Sequence, residues 1–263
     1  MNMNTGTDFE EILKQFEGIT LEEVDKASLM SRKDKKYLFS IQHLSTLLEM
    51  VSKDYRVLEI DGSRSQHYNT RYFDTQGREM YHKHHRGLAN RHKVRIRRYG
   101  SGALHFLEVK EKNSKGVTTK KRVKTSGMEY AVLLKEEEFL SSCSPYKVNG
   151  IDSAMKNVFR RITLVSYAQT ERVTLDYGLH FESEESGEEL YLPGVAIAEI
   201  KYEGHLAGSS LHEALRKLRL KPSRFSKYAI GMALLHPGLK QNRFKSKVRM
   251  VNQLNQEYQL TLK

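Results

Sequence analysis

Lys93-Val94-Arg95-Ile96-Arg97-Arg98-Tyr99 sets two arginines two residues apart between β-branched residues. On an extended strand successive side chains point to opposite faces, so Arg95 and Arg97 share one face and Val94 and Ile96 the other. The next stretch, Leu104 to Glu111, repeats the device, with Glu108 and Lys110 opposite Leu107 and Val109. Working outward, Arg32, Asp34 and Lys36 share a face on a strand from Arg32 to Ser40, and Lys120 and Arg122 do so between Thr118 and Thr125. Arg172, Thr174 and Asp176 oppose Val173 and Leu175, and Glu199 and Lys201 oppose Ala198 and Ile200. Six segments thus carry an ionisable face, mostly basic, with a carboxylate on several of them.

Further extended stretches are expected at Arg56–Ile60, Gln66–Phe73 and Leu190–Leu192, punctuated by Gly62, Gly77, Gly100, Gly102 and Gly116. Residues 8–30 alternate acids with Phe9, Ile12, Leu13, Phe16 and Leu21 and predict one or two amphipathic helices. Leu44, Leu47, Leu48 and Val51 predict a helix over Gln42–Val51. Others are expected over Met128–Phe139, Ser209–Leu220, where Lys221-Pro222 ends it, and Ser226–Leu235, while Met155–Leu164 is open. No repeat or low-complexity linker interrupts the pattern, so the expectation is one α+β domain.

An ordinary antiparallel sheet would bury its apolar face and leave the charged one in water. Composition argues against that reading. A solvated face mixes Thr, Ser, Gln and Lys, and like charges side by side on it are destabilising. Here arginine is prominent, the residue suited to planar, bidentate phosphate recognition. If the charged faces converge, the sheet closes into a barrel with a polar lumen and helices on its apolar outside. Arginines and lysines lining a lumen repel strongly at low dielectric, so the cluster demands an anion. A chain of phosphates meets that demand; duplex DNA is too wide for a barrel of about eight strands.

The chain of 263 residues holds 44 Lys and Arg against 32 Asp and Glu, a net charge of +12. The stretch Glu182 to Glu189 alone carries five carboxylates in what reads as a solvated turn, so the rest is more basic still. No apolar run approaches the ~18 residues of a membrane span, and no secretory signal is visible at the N-terminus. The one cysteine, Cys143, excludes an internal disulfide and reads as an inert loop or surface thiol. A cytoplasmic location is the expectation.

The charged segments form an ordered series. It runs Arg32-x-x-x-Lys36-Tyr37, Tyr72-Phe73-Asp74-Thr75, Arg95-x-Arg97-x-Tyr99, Glu108-x-Lys110, Lys120-Lys121-Arg122, Arg172-x-Thr174-x-Asp176, Glu199-Ile200-Lys201 and Phe225-Ser226-Lys227-Tyr228. This series, from about Arg32 to Leu235, resembles the polyphosphate polymerase (VTC-type) domain of the triphosphate tunnel metalloenzyme, or CYTH-like, superfamily. The resemblance implies an N-terminal helical segment over residues 1–30, a tunnel domain over 31–240 and a basic C-terminal segment over 241–263. It also implies an antiparallel closed β-barrel whose basic lumen holds triphosphate, with a divalent cation, Mn²⁺ or Mg²⁺, on a glutamate. Eukaryotic relatives transfer the γ-phosphate of ATP onto a growing polyphosphate chain. Carried over by motif, Lys36, Arg95, Arg97 and Arg172 fall at catalytic phosphate-gripping positions, with a further arginine expected on a strand before Arg172. Both Arg160 and Arg161 are candidates there, and Arg161 is preferred because Ile162 and Leu164 then oppose it. Arg32, Lys110, Lys120, Arg122, Lys201, Arg224, Ser226 and Lys227 are the expected substrate-binding set, and Glu199 the metal ligand. Lys120 is preferred to Lys121 because it shares a face with Arg122, although a bulge would reverse the choice. Arg224 stands where the family has lysine, keeping charge but not geometry.

Such a site agrees with phosphoryl-transfer chemistry, which asks for positioning and charge neutralisation more than a covalent nucleophile. Mg²⁺ or Mn²⁺ bridging phosphate oxygens needs only one or two carboxylates from protein. Glu108 and Asp176 are equally suited to orient the basic residues. The expected partners are ATP or another nucleoside triphosphate and inorganic polyphosphate or triphosphate. Neither nucleic acid nor membrane insertion by this chain is expected, and a separate membrane partner is compatible with it. A triphosphate or nucleotide phosphohydrolase, or a polyphosphate-binding module without turnover, would use the same tunnel. His82, His84, His85 and His92 read as a basic loop at the tunnel rim, and Arg243 to Arg249 as a solvated basic tail. Lys112, Lys115 and Gly116 read as a hairpin turn.

Overall fold

The computed structural model describes residues 7–26, 33–100, 102 and 104–262. Its strands are β1 (Glu17–Ile19), β2 (Lys33–Ser40), β3 (Tyr55–Leu58), β4 (Gln66–Asp74), β5 (Arg91–Tyr99), β6 (His105–Lys112), β7 (Thr118–Thr125), β8 (Asp152–Ser166), β9 (Glu171–Ser183), β10 (Glu189–Leu192) and β11 (Val195–Tyr202). The α-helices are α1 (Thr7–Leu13), α2 (Leu21–Lys26), α3 (His43–Val51), α4 (Glu79–Arg86), α5 (Tyr130–Leu133), α6 (Glu137–Cys143), α7 (Ser210–Lys217), α8 (Lys227–Leu235) and α9 (Lys245–Thr261). The strands form one sheet in the order β2-β11-β9-β8-β4-β5-β6-β7, antiparallel along this path, with β10 on β9 and β3 on β8. The short β1 adds to β3 in parallel, a strand inside the segment expected to be helical.

The apolar residues that alternate with the charges face outward and bury against helices. Tyr37, Phe39, Val173, Leu175, Ala198 and Ile200 pack with Leu44, Leu47, Leu48, Leu211 and Leu215 of α3 and α7. Val94, Ile96, Leu107 and Val109 pack with Met80, Leu133, Leu140 and Tyr146 in a separate core. Each such side chain contributes roughly 1.5–3 kcal/mol of transfer free energy.

The opposite face is concave. Lys110 on β6 is within electrostatic reach of Glu199, Lys36 and Asp34 on β11 and β2, so the two ends of the strand path curl toward one another. Among the described residues no ladder joins β2 to β7, so the sheet is not closed by hydrogen bonds. Both edges carry lysines, Lys33, Lys35 and Lys36 on β2 and Lys120, Lys121 and Lys124 on β7, and like charges oppose edge-to-edge pairing.

At one end the concave face is apolar and α8 fills it. Residues Tyr228 to Ala233 and Leu235 are buried, and they pack with Leu38, Tyr72, Phe159, Phe181 and Ile197 of the sheet. Gly178, at φ 60°, sits where the β8–β9 register shifts, so Asp176 before it and Leu179 after it both face inward. Gly231 lets α8 approach, because a Cβ there would lie 2.6 Å from both Met155 Sδ and the Phe181 ring.

Four local expectations change. The histidine-rich stretch is helical: Asp74 accepts hydrogen bonds from the Met80 and Tyr81 amides at 2.9 and 3.0 Å and starts α4, while His92 lies on β5. The basic tail is the helix α9, anchored by buried Val251 and by Asn255, which accepts from the Gly194 amide at 3.2 Å. The acidic turn is tied down, with Glu184 paired to Arg71 at 2.9 Å and Glu185 to Arg78 at 2.7 Å. The expected helix over Met128–Phe139 is split into α5, a 3₁₀ turn and α6, which ends at a half-buried Cys143. Among the described residues no helix is long and apolar enough to cross a membrane.

Candidate active site

The inner rows of the sheet can be followed strand by strand from the register. Asp34 lies opposite Lys201, which lies opposite Arg172. Lys36 lies opposite Glu199, and Arg161 opposite Asp176. Tyr72, Arg95 and Glu108 form a further row, and Lys93, Lys110 and Lys120 another. The strand period brings charged groups from seven strands, and Tyr72 from an eighth, onto one surface.

Three carboxylates organise the cations. Glu108, 1% exposed, accepts two hydrogen bonds from Arg95 at 2.8 and 2.6 Å, one from Lys120 at 2.9 Å and one from the Tyr99 hydroxyl at 2.8 Å. Asp176, 4% exposed, accepts a bidentate pair from Arg161 at 2.5 and 2.7 Å and a further bond from Lys227. Glu199 pairs with Lys36 and lies 3.7 Å from Lys201. Burial alone would raise all three carboxyls. The adjacent cations outweigh it, Arg95 first at Glu108, Arg161 at Asp176 and Lys201 at Glu199, and each carboxyl is held well below the usual range.

Arg97 and Lys93 are held by neutral groups and by rings. Arg97 donates to Thr70 Oγ1 at 3.0 Å and lies over the rings of Tyr68, Phe159 and Tyr99. Lys93 donates to Ser226 Oγ at 3.0 Å, and Ser226 also caps α8 by accepting from the Ala229 amide. Burial and the neighbouring Lys110 and Arg95 push Lys93 down to about 7. Burial likewise brings Lys227 to about 7 despite Asp176 beside it, and Lys201 to about 8 despite Glu199. These lowered values reflect, first, the burial of lysine side chains on this face. An anion entering it would be met by preset cations and by the positive end of the α8 dipole.

Of the residues expected from sequence, Lys36, Arg95, Arg97, Lys110, Lys120, Arg161, Arg172, Glu199, Lys201, Ser226 and Lys227 share this surface. Arg172 acts on Lys201 through its charge. Arg160 turns the other way, toward His67 and Tyr177, and Lys121 lines a cleft of about 470 Å³ with Cys143 and His92. Arg122 continues the Tyr72, Arg95 and Glu108 row onto the edge strand, exposed and 4.7 Å over the Phe106 ring, and Arg224 is exposed near Arg91. Arg32 lies outside the described residues. Lys93 was not foreseen, although it lies one strand period before Arg95 and shares its face.

Among the described residues no three His, Cys, Asp or Glu side chains converge as a ready-made metal cage. Glu199 and Asp34, on adjacent strands and one inner row apart, are oxygen donors only, and Glu199 is kept ionised. That donor set fits a hard divalent cation whose other ligands come from phosphate and water.

A family model described as the VTC domain matches residues 31–236. No curated protein matches the chain. Among solved structures, a candidate adenylate cyclase from Bacillus halodurans aligns at 15% identity and a TM-score of 0.50, covering 75% of this chain and 96% of its own. A protein from Pyrococcus horikoshii aligns at 16% identity and a TM-score of 0.46, covering 79% and 99%. A candidate adenylyl cyclase from Hippeastrum, described as having a dominant triphosphatase activity, aligns at 15% identity and a TM-score of 0.47, covering 78% and 96%. At such identity the first of these likenesses speaks for the fold alone.

Proposed function

The chain belongs to the VTC domain family, and from that premise we propose that it is a metal-dependent polyphosphate polymerase, moving the γ-phosphate of ATP onto a growing polyphosphate chain. The observation that carries this reading is the concave face itself. Its cations outnumber its carboxylates, and each buried carboxylate fixes cations rather than cancelling them.

In this reading Lys36, Arg95, Arg97, Arg161 and Arg172 surround the transferring phosphoryl group and neutralise charge on its oxygens. The carboxylates of Glu108 and Asp176 hold two of these guanidinium planes before substrate arrives, so little reorganisation accompanies transfer. Lys110, Lys120, Lys201, Ser226 and Lys227 grip the donor and acceptor chains, Arg122 and Arg224 extend the grip outward, and Arg32 joins the substrate-binding set by its place in the sequence motif. Glu199, with Asp34, would hold Mn²⁺ or Mg²⁺, which when bound neutralises phosphate oxygens and orients them. The attacking group is a terminal phosphate oxygen already ionised near neutral pH, so no general base is required. Lys93 and Lys227 keep their Nζ protons once phosphate lies beside them. A cytoplasmic location, where ATP is met, belongs to the same proposal.

The test is purified protein with ATP and Mn²⁺ or Mg²⁺, followed by ³¹P NMR. Chain-internal phosphate signals growing with ADP, and lost in Glu199→Gln, are expected. Orthophosphate without internal signal would replace the polymerase with a phosphohydrolase. Tripolyphosphate binding with neither product would leave a binding module.

A further inference from the structure

Two apolar cores cover parts of the sheet's outer face, and a polar strip crosses β5, β4 and β8 between them. Arg98, Asn69, His67 and Arg160 stand on that strip. We infer that they form a second anion site, on the opposite side of the sheet from the basic face, taking a small inorganic phosphoryl anion of the class of orthophosphate and pyrophosphate. The inference goes beyond the proposed function and does not depend on it.

Position follows from register. His67 lies opposite Arg160, and Asn69 lies opposite Arg98, so β4 carries two polar residues between two arginines. Neighbouring strands stand about 4.8 Å apart, which sets β5 and β8 roughly 10 Å apart across β4, within joint reach of two arginine side chains. Arg97 and Arg161, their immediate neighbours in sequence, face inward to Thr70 and Asp176. The outer pair is therefore back to back with the basic face and separate from it.

The outer cations lack what their neighbours have. One strand period along the same strip, Arg71 pairs with Glu184 at 2.9 Å and Lys156 with Glu182 at 2.7 Å. Among the described residues no carboxylate stands within ion-pair distance of Arg98 or Arg160. Glu10 on α1 shares the corner, since it and Arg160 both act on the Tyr177 hydroxyl, yet it pairs with neither arginine. The Nε atoms of Arg98 and Arg160 and the Oδ1 of Asn69 are buried without a hydrogen-bond partner. Burial first, and then the charges of Arg160 and Arg98, hold the His67 imidazole below its usual range.

An anion between the two arginines answers each of these deficits. It accepts from both Nε–H groups and from the imidazole, and the Asn69 amide, turned about its last bond, donates to it as well. Guanidinium groups suit phosphoryl oxygens in particular. The neighbouring pairs set the size of the ligand. A long polyanion following the strip would run onto Glu184 and Glu182, which already hold Arg71 and Lys156, so the site takes a small anion.

Calorimetric titration of the full chain with pyrophosphate, at low salt and without divalent metal, tests the inference. Two classes of site are expected in the parent. Arg98→Gln and Arg160→Gln should each weaken one class roughly tenfold, the size of one charge-assisted hydrogen bond, and the double variant should lose it. Lys110→Gln, on the basic face, should weaken only the other class. Without anion the single variants should melt no lower than the parent, because no ion pair is broken. Pyrophosphate binding unchanged in both single variants would overturn the outer site. A single class weakened by Lys110→Gln alone would do the same and leave the proposed function standing. A single class lost with the arginines would keep the outer site and count against the proposed function.

Discussion

The Tyr228 hydroxyl donates a hydrogen bond to Asp74 Oδ2, joining the first turn of α8 to the residue that starts α4. Asp74 is fully buried and also accepts from the Thr75, Met80 and Tyr81 amides. Tyr228 follows Ser226 and Lys227, so this bond sets the depth at which those two residues enter the basic face. Tyr228→Phe leaves one buried carboxylate oxygen short of a partner and should cost about 1–2 kcal/mol in urea denaturation. It should also weaken tripolyphosphate binding several-fold. Unchanged binding in a destabilised variant would show that Ser226 and Lys227 are held by other contacts.

Glu108→Gln removes the charge at the centre of Arg95, Lys120 and Tyr99. Breaking one side of a buried ion network typically costs ~3–5 kcal/mol, and the loss should appear as a lower melting temperature. Tripolyphosphate supplies the missing negative charge, so it should raise the melting temperature of the variant more than that of the parent. An equal shift for both proteins would contradict a repulsive, anion-seeking surface.

Binding should weaken as pH rises from about 7 to 9. Lys93 and Lys227 lie near 7 and Lys201 near 8, lowered mainly by burial. Lys93 faces Lys110, Arg95, Arg91 and Lys36, while Lys227 faces Asp176, Arg161 and Arg97. An added phosphate restores their protons, so binding near pH 8 takes protons up and grows less favourable as they become scarce. Titration in two buffers of different ionisation enthalpy measures that uptake, and a value of zero would refute it. The unliganded fold should itself gain stability from about pH 7 toward 10, where the unfolded chain binds more protons than the native one.

Gly231→Ala should destabilise, although alanine is intrinsically the better helix former by about 1 kcal/mol. The new methyl would stand 2.6 Å from Met155 Sδ and from the Phe181 ring. Met155 and Phe181 are both fully buried, and overpacking of this kind costs ~1–3 kcal/mol. A variant more stable than the parent in denaturant melts would show that α8 shifts without resistance.

Much of the basic face was legible because strand period and charge coincide. Arg95, Arg97, Glu108, Lys110, Glu199 and Lys201 each sit two residues from a partner on the same face, and no tertiary knowledge is needed to see it. Lys93 obeys the same period but stands beside Arg91 and His92, where polar residues hide the alternation. The helix α4 escaped for a different reason. Its face carries His82, Lys83, His84 and Arg86, and what starts it is Asp74, five residues before its first residue. Closure could not be read at all, since it depends on the meeting of β2 and β7, which are 85 positions apart at Lys33 and Thr118. Period describes each strand and is silent about which edges meet.

The helix α8 has two ends with different neighbours: Lys227 bonded to Asp176 among the cations, and Ile230 to Leu235 inside the apolar core. Nothing rigid can be gripped at one end without loading the other. A polyanion drawn against Ser226 and Lys227 pulls on the same rod that locks Phe181 and Met155 in place. Amide exchange in the middle of α8 should therefore slow when the basic face is filled, making the interior of the protein a gauge of what its surface holds.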